Sequence, residues 1–177
     1  AEALAAFGDD TIYAERFLPS VRHIEVQIIG DGLSVTHLWE RDCSVQRRNQ
    51  KLIELAPAPN LDPETRSALL SAAIAIGKAC NYRGLGTIEF LVETDAHGGE
   101  GFYFIETNPR IQVEHTITEE ITGHDLVEIQ LRIAGGETLA QIGLNVYAPE
   151  PPLGCAVQLR VNTEVFSEDG QLVPTGG

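Results

Sequence analysis

The strict alternation of apolar and polar side chains that begins at Val21 places the strongest constraint on the fold. Apolar and polar residues take turns along this segment: Ile24, Val26 and Ile28 alternate with His23, Glu25 and Gln27. Successive side chains of a strand point to opposite faces, so this period of two predicts a half-buried β-strand. Gly30-Asp31-Gly32 then predicts a turn into a second strand over Ser34–Glu40.

Further segments extend this pattern to an α+β chain. Asp62 is suited to cap a helix that starts at Pro63 and continues at helical spacing to Cys80. Two β-rich runs, Thr87–Val92 and Phe102–Ile105, are separated by the Gly-rich stretch Thr94–Gly101 and predict a hairpin. The remaining predicted elements are a helix at Glu2–Phe7, a turn at Gly8-Asp9-Asp10, a strand at Thr11–Phe17, helices at Glu119–Thr122 and Asp125–Ala134, and a strand at Cys155–Val165.

Composition, net charge and the positions of the prolines limit the class of protein. A formal net charge of -14 argues against a nucleic-acid partner, because polyanion binding rests on a surplus of Lys and Arg. No apolar run approaches the ~20 residues of a membrane span, and three distant cysteines favour a reduced cytoplasm. The cluster Pro149, Pro151 and Pro152 predicts a boundary between domains 1–148 and 149–177. We expect the sequence to be a piece of a longer chain.

The predicted hairpin places two acidic residues opposite each other. If its loop is centred near His97-Gly98, Glu89 lies across from Glu106. Facing like charges are destabilising, and a divalent cation between them would reverse that effect. Two carboxylates completed by phosphates and water are a common arrangement around Mg²⁺. An ordinary solvated sheet face is the alternative, and hairpin geometry alone favours it because exposed carboxylates are common.

A row of polar residues follows and shifts that balance. Polar groups occur at every second position from Glu106, and an extended chain would present them on one face: Glu106, Asn108, Arg110, Gln112 and Glu114. Such a set can order a metal, an anion and a proton acceptor together. We therefore predict Glu89, Glu106 and Asn108 as metal ligands, Arg110 as an oxyanion clamp and Glu114 as a general base.

Other polar segments are less specific. Residues 46–51 (QRRNQK) hold 3 of the 12 basic residues, which predicts an anion site, a salt-bridged loop or a solvated turn. Gln158, Arg160, Asn162 and Glu164 repeat the polar alternation, which an edge strand explains. His23 and His115 lack metal-ligand spacing, so polar contacts are expected of them.

Five segments carry a specific resemblance across nearly the whole chain. They are HIEVQIIGDG, ERDCSVQRRNQKLIELAPAP, YRGLGTIEF, FYFIETNPRIQVEH and TEEITGHDLVEIQLRIAGGE. In order and spacing they are similar to biotin carboxylase, the ATP-grasp component of biotin-dependent carboxylases. The resemblance implies the C-terminal half of an ATP-grasp domain, with a mostly antiparallel sheet flanked by helices, followed by the start of the next domain.

The resemblance also implies roles. Carboxyphosphate would form from ATP and bicarbonate, with Mg²⁺ or Mn²⁺, and biotin on a carrier would then be carboxylated. Glu89 and Glu106 become metal ligands supported by Asn108, and Glu114 becomes the base. The other implied positions are Glu15 and Leu18 at the adenine, His23 and Gln46 near ribose and base, Asn49 near the nucleotide, Lys51 at phosphate and bicarbonate, Arg110, Gln112 and Val113 at bicarbonate, and Arg160 at the biotin enolate.

The chain departs from the family pattern at several positions. Asn49 stands where the family usually has His, Arg16 replaces a usual Lys, and Thr107-Asn108-Pro109 varies a common motif. The family's N-terminal domain and glycine-rich lid have no counterpart, so the isolated fragment is expected to be inactive. The family implies a carrier domain, a carboxyltransferase and a homodimer as partners. A carbamoyl-phosphate-synthase-like ligase and a non-catalytic nucleotide-binding module are the alternatives.

Overall fold

A six-stranded antiparallel sheet forms the centre of the molecule, with strand order β5-β4-β1-β2-β3-β6. The structure, a computed structural model, describes residues 2–94, 100–144, 146 and 149–175. The strands are β1 Val21–Asp31, β2 Val35–Arg47, β3 Gln50–Ala56, β4 Arg83–Thr94, β5 Glu100–Asn108, β6 Ala156–Leu159, β7 Glu164–Phe166 and β8 Leu172–Pro174. The helices are α1 Glu2–Phe7, α2 Pro63–Ala79, α3 His115–Thr122, α4 Leu126–Ala134 and α5 Leu139–Ile142.

The predicted α+β class with a mostly antiparallel sheet is confirmed. Helix α2 begins as its sequence predicts, because the Asp62 side chain accepts a hydrogen bond from the Thr65 amide and Pro63 occupies the first turn. A separate two-stranded sheet pairs β7 with β8. Among the described helices, none has the length and apolar character needed to cross a bilayer.

The two faces of the sheet have different chemistry. On one face α2 covers an apolar cluster that includes Ile24, Val26, Leu69 and Phe90. On the other face, α3 and α4 lie over a surface that is apolar at one end and polar in the middle. The prediction that β1 is half-buried is wrong, because Glu25 and the other polar residues at its centre are buried as fully as the apolar ones.

Several predicted boundaries are also wrong. Residues 9–18 form no strand; the side chains of Ile12, Tyr13 and Phe17 are more than four-fifths exposed, and no described strand pairs with this segment. The second strand, predicted to end at Glu40, continues to Arg47. The predicted strand Cys155–Val165 is two short strands, β6 and β7, which belong to different sheets.

The segment after the proline cluster packs on the central sheet. Strand β6 pairs with β3, the Trp39 indole N–H donates to the Glu150 carbonyl at 2.8 Å, and the Leu153 amide donates to the Ile121 carbonyl at 2.8 Å. The division into domains 1–148 and 149–177 stays a prediction. These contacts place Arg160, just beyond β6, against the face of the sheet that carries the polar residues.

Candidate active site

A cavity of about 680 Å³ opens beside the polar face of the sheet. Its lining includes every predicted site residue except Glu15, which is exposed, and Leu18, which is half-buried; both lie in the segment without regular structure. The lining residues are His23, Gln46, Asn49, Gln50, Lys51, Glu89, Ile105, Glu106, Asn108, Arg110, Gln112, Val113, Glu114, Arg160 and Asn162.

Two facing carboxylates form the acidic side of the cavity. The hairpin prediction is confirmed, since Glu89 of β4 pairs with Glu106 of β5, although the predicted loop centre His97-Gly98 lies outside the described residues. The Asn108 amide nitrogen lies 3.0 Å from an oxygen of each carboxylate. The side chains of these three residues therefore converge on one small volume.

The donor set at this point suits a hard divalent cation. Two carboxylates, with space left for water and phosphate, are ligands that Mg²⁺ accepts; Asn108 supports them through its amide nitrogen, while its oxygen accepts from Arg110. Glu89 is held in place from the opposite side, where its second oxygen lies 2.7 Å from His23 Nε2. His23 Nδ1 in turn lies 2.8 Å from Gln46 Nε2. The expected polar contacts of His23 are present, and they fix the orientation of the carboxylate.

Lys51 lies among three buried carboxylates. Its ammonium nitrogen is 2.6 Å from Glu25 Oε2, 2.8 Å from Glu114 Oε1 and 3.2 Å from Glu89 Oε1. Two sets of possible metal ligands among the described residues meet here, one with Cys43 and one with His23. Because the ammonium already contacts carboxylates of both sets, a cation of the protein itself balances their charge.

The turn that precedes Lys51 sets its position. Arg48 and Asn49 have φ angles of 52° and 62°, the left-handed conformation that a tight two-residue hairpin requires at both central positions. Asn adopts this conformation with little strain. Arg47, just before the turn, forms an ion pair with Glu164 of β7. The predicted basic segment is therefore a hairpin turn with one salt-bridged arginine, and its Lys51 end lines the cavity.

Glu114 lies at the N-terminal end of α3 and contacts two positively charged side chains. Lys51 contacts one of its oxygens, and Arg160 Nη2 donates to the other at 2.9 Å. The Arg160 Nε also donates to Glu54 Oε1 at 2.6 Å. Glu114 is 2% exposed, so both cations meet it with little competing water. Two neighbouring cations favour the ionised form of a carboxylate, so Glu114 is held deprotonated at the cavity wall, as a proton acceptor must be before it reacts.

The prediction that residues 106–114 form one extended row is wrong. The strand ends at Asn108, before Pro109, whose ring nitrogen cannot donate to a ladder. The chain then turns twice, with the Arg110 amide donating to the Asn108 carbonyl at 2.9 Å and the His115 amide donating to the Gln112 carbonyl at 3.2 Å. The polar side chains still line the same cavity, because the turns return the chain to it.

Burial and charge set the protonation of the central groups. Burial raises the pKa of Glu89, but hydrogen bonds from His23 and Gln112 and the charge of Lys51 outweigh it and lower the pKa to about 2. Burial likewise raises the pKa of Glu114, and the contact with Lys51 outweighs it, so the net pKa falls. The pKa of Lys51 is lowered by burial but raised further by Glu25 and Glu114. At neutral pH these groups are charged.

Sequence reasoning missed the layer of charge beneath the cavity. Glu25, Arg41 and Glu54 are 0% exposed, and each contacts a predicted site residue. The alternation placed Glu25 on the polar face of a half-buried strand and left Arg41 outside the sheet. The sequence did contain a usable signal, because glutamates and an arginine occur within strongly β-forming runs. Such residues are costly to bury unless they pair with each other, so their presence there indicates buried ion pairs.

The chain is similar to known proteins over most of its length. The family model described as "Carbamoyl-phosphate synthase L chain, ATP binding domain" matches residues 1–142. A pyruvate carboxylase from Aspergillus niger is 52% identical over 164 residues, which are 92% of this chain and 13% of that protein. The chain thus spans about an eighth of the length of this curated relative.

Two solved structures are similar over most of the chain. One, described as the biotin carboxylase domain of a single-chain bacterial carboxylase, has 53% identity and a TM-score of 0.79 over 93% of this chain and 40% of its own. The other is the biotin carboxylase domain dimer of the Hydrogenobacter thermophilus 2-oxoglutarate carboxylase in complex with MgADP, ADP and bicarbonate. It has 43% identity and a TM-score of 0.79 over 92% of this chain and 34% of its own.

Proposed function

We propose that this chain, which belongs to the carbamoyl-phosphate synthase L chain ATP-binding domain family, supplies the metal and bicarbonate side of a biotin carboxylase active site. Its predicted resemblance to biotin carboxylase is confirmed. The observation that carries the proposal is the position of Glu114 between Lys51 and Arg160 in a cavity that also holds facing carboxylates. The full protein would act as an ATP-dependent ligase.

The acidic side of the cavity suits the phosphates of a nucleotide through a cation. Glu89 and Glu106, with Asn108, would hold Mg²⁺ or Mn²⁺, which neutralises charge on ATP when bound. His23, Gln46 and Asn49 lie along the neighbouring wall and would contact the ribose and base. Glu15 and Leu18 are proposed at the adenine from the family resemblance alone.

The opposite wall suits bicarbonate. Arg110, Gln112 and Val113 would bind its oxygens, and Glu114 would accept its proton while a bicarbonate oxygen attacks the γ-phosphorus and ADP leaves. The charged Lys51 beside Glu114 stabilises negative charge that develops between bicarbonate and phosphate. Carboxyphosphate and ADP are the products of this step, and the proton rests on a Glu114 oxygen.

Arg160 would act in the second half-reaction. Carboxyphosphate would transfer its carboxyl group to the ring nitrogen of biotin and release phosphate, which takes up the proton that this nitrogen loses. The guanidinium of Arg160 would stabilise the enolate that forms as the proton leaves. We propose a carrier domain bearing biotin and a carboxyltransferase as partners, a homodimer of the full component, and a cytoplasmic location. The 2-oxoglutarate carboxylase relative is described as a domain dimer with MgADP and bicarbonate, which supports the dimer and the ligands.

ADP release by the full-length protein that contains this chain tests the proposal. We expect turnover to require Mg²⁺, ATP and bicarbonate, to rise with free biotin, and to fall by at least ~100-fold in Glu114→Ala, as for loss of a general base. Glu120→Ala is the matched control, since Glu120 is an exposed glutamate of the same helix. Its turnover should equal that of the unmodified protein.

Other outcomes would assign the site differently. Turnover that does not depend on biotin and rises with ammonia would favour carbamoyl-phosphate synthesis, the activity named in the matching family description. Metal-dependent nucleotide binding without turnover would favour a non-catalytic module. For the isolated 177 residues we propose little or no activity, because the family's N-terminal domain and lid also bind ATP; robust bicarbonate-dependent ATP hydrolysis by them would contradict this.

A further inference from the structure

Arg41 is a fully buried arginine directly beneath the cavity. It lies on β2 with its side chain 0% exposed, and its strand partner is Glu25 of β1. Its Nε donates to Glu25 Oε1 at 2.5 Å, and its Nη1 donates to Gln27 Oε1 and Thr118 Oγ1, both at 2.8 Å. Arg41 does not line the cavity, so the reaction proposed above makes no direct use of it.

A further contact of Arg41 reaches the bicarbonate wall. Its Nη2 donates to Gln112 Oε1 at 3.1 Å, and the Gln112 Nε2 donates to Glu89 Oε1 at 3.0 Å. A guanidinium can only donate hydrogen bonds, so it forces the Gln112 amide to turn its oxygen inward and its nitrogen towards Glu89. The orientation of a cavity-lining amide is therefore decided by a residue outside the cavity.

Arg41 also acts on Lys51 through Glu25. One oxygen of Glu25 accepts from Arg41 and the other accepts from Lys51 at 2.6 Å. With the guanidinium present, Glu25 is already partly neutralised, and the ammonium is shared with Glu114 at 2.8 Å. Without it, Glu25 would hold a fuller negative charge and draw Lys51 away from Glu114.

We propose that Arg41 is a positioning residue for bicarbonate: it sets the orientation of Gln112 and the placement of Lys51 from beneath the site. The inference rests on the proposed function, because bicarbonate is the ligand assigned to Gln112. Among the described contacts, those of Arg41 reach neither His23 nor Gln46. The nucleotide side is reached only indirectly, where Gln112 and Lys51 contact Glu89. The influence of Arg41 should therefore be greater on bicarbonate than on ATP.

Lysine cannot replace this arginine. Arg41 uses three nitrogens to reach partners on β1, α3, the loop before α3 and β4, where its Nη2 donates to Thr87 Oγ1 at 3.3 Å. The planar guanidinium holds these donors in a fixed fork. A lysine ammonium keeps the charge but has a single nitrogen with three donors. Arg41→Lys therefore keeps the buried positive charge but loses the arrangement of hydrogen bonds. Its effect reports on that arrangement and not on the charge.

Steady-state ADP release by the full-length protein tests the inference. We expect Arg41→Lys to raise KM for bicarbonate at least ~10-fold, since small displacements of positioning groups have effects of this size or larger. KM for ATP should rise by a clearly smaller factor, because Arg41 reaches the nucleotide side only through Glu89. Arg66→Lys is the matched control: Arg66 pairs at 2.8 Å with Glu40, another fully buried glutamate, on the opposite face of the sheet, and both its KM values should stay unchanged.

Thr118→Val covers the case in which Arg41→Lys does not fold, because it removes one acceptor of Arg41 with little change in volume. It should raise KM for bicarbonate by a smaller factor than Arg41→Lys does, and KM for ATP by less still. A lower kcat with both KM values unchanged, or an equal rise of both KM values, in either folded variant, would show a purely structural role and overturn the inference. Absence of bicarbonate-dependent turnover in the unmodified protein would instead refute the proposed function.

Discussion

Ile24 and Glu25 are neighbours in β1 and are both 0% exposed, yet they enter opposite environments. Ile24 packs on the face under α2, among side chains that include Val26, Leu69 and Phe90. Glu25 lies on the other face between Arg41 and Lys51. The first face is mostly apolar, and its buried Glu40 is paired with Arg66 of α2. The second face carries a charged network in its middle and an apolar cluster under α4 at one end.

Side chains that are buried to the same extent contribute differently to the stability of the fold on the two faces. Burying an aliphatic side chain stabilises the fold by about 1.5–3 kcal/mol. Buried ion pairs contribute little net stability, because removing each charge from water offsets their attraction. The apolar face therefore accounts for the stability of the sheet. The charged face is better explained by the chemistry of the cavity above it.

Loss of packing on the apolar face should have the largest effect on stability. Ile24→Ala is expected to lower the free energy of unfolding by about 2–5 kcal/mol, because it removes buried methyl groups and leaves a cavity. Urea denaturation of the purified chain measures this change. Leu33→Ala is the control, since Leu33 is 88% exposed. A change at Ile24 as small as at Leu33 would contradict the assignment of stability to this face.

A titratable group on the apolar face should make stability depend on pH. His37 pairs with Ile28 across β1 and β2, and burial lowers its pKa from 6.5 to about 4. The folded chain thus binds this proton more weakly than the unfolded chain does. The contribution of His37 to the free energy of unfolding is therefore complete above about pH 6.5. It is lost as the pH falls from about 6.5 towards about 4, by at most about 3 kcal/mol.

The variant His37→Gln tests this dependence. Glutamine does not titrate, so the stability difference between pH 7.5 and pH 4.5, measured by urea denaturation, should be smaller in the variant by up to about 3 kcal/mol. Equal pH dependence in the two proteins would show that His37 is not responsible.

Removing a charge from the polar face should affect stability least. Glu25→Gln keeps the shape of the side chain and an oxygen acceptor for Arg41, but the amide nitrogen that replaces the second oxygen cannot accept from Lys51, whose charge is still met by Glu89 and Glu114. We expect the free energy of unfolding to fall by about 1–3 kcal/mol, less than for Ile24→Ala. The same urea denaturation compares the two variants. A greater loss for Glu25→Gln would show that the charged face also carries a main part of the stability.

Local sequence signals predicted those parts of the site that are formed by neighbouring segments. The pairing of Glu89 with Glu106 followed from a single hairpin, and a turn before Lys51 was one of three alternatives that the composition of residues 46–51 left open. The straight row through Glu114 was wrong, because alternation cannot show that the chain turns after Pro109. Residues whose partners are distant in sequence, above all Arg41, were missed for the same reason.

The sequence by itself determined β1, the first part of β2, the β4–β5 hairpin, the capped helix α2 and the acidic and basic residues of the cavity, because period-two patterns, caps and turn residues act over a few positions. It did not predict β3. Only the tertiary structure decided that β1 lies between β2 and β4. That order pairs Glu25 with both Glu89 and Arg41 and buries polar residues that alternation alone places in water. Strand order depends on the total packing of distant segments, and no local pattern encodes that sum.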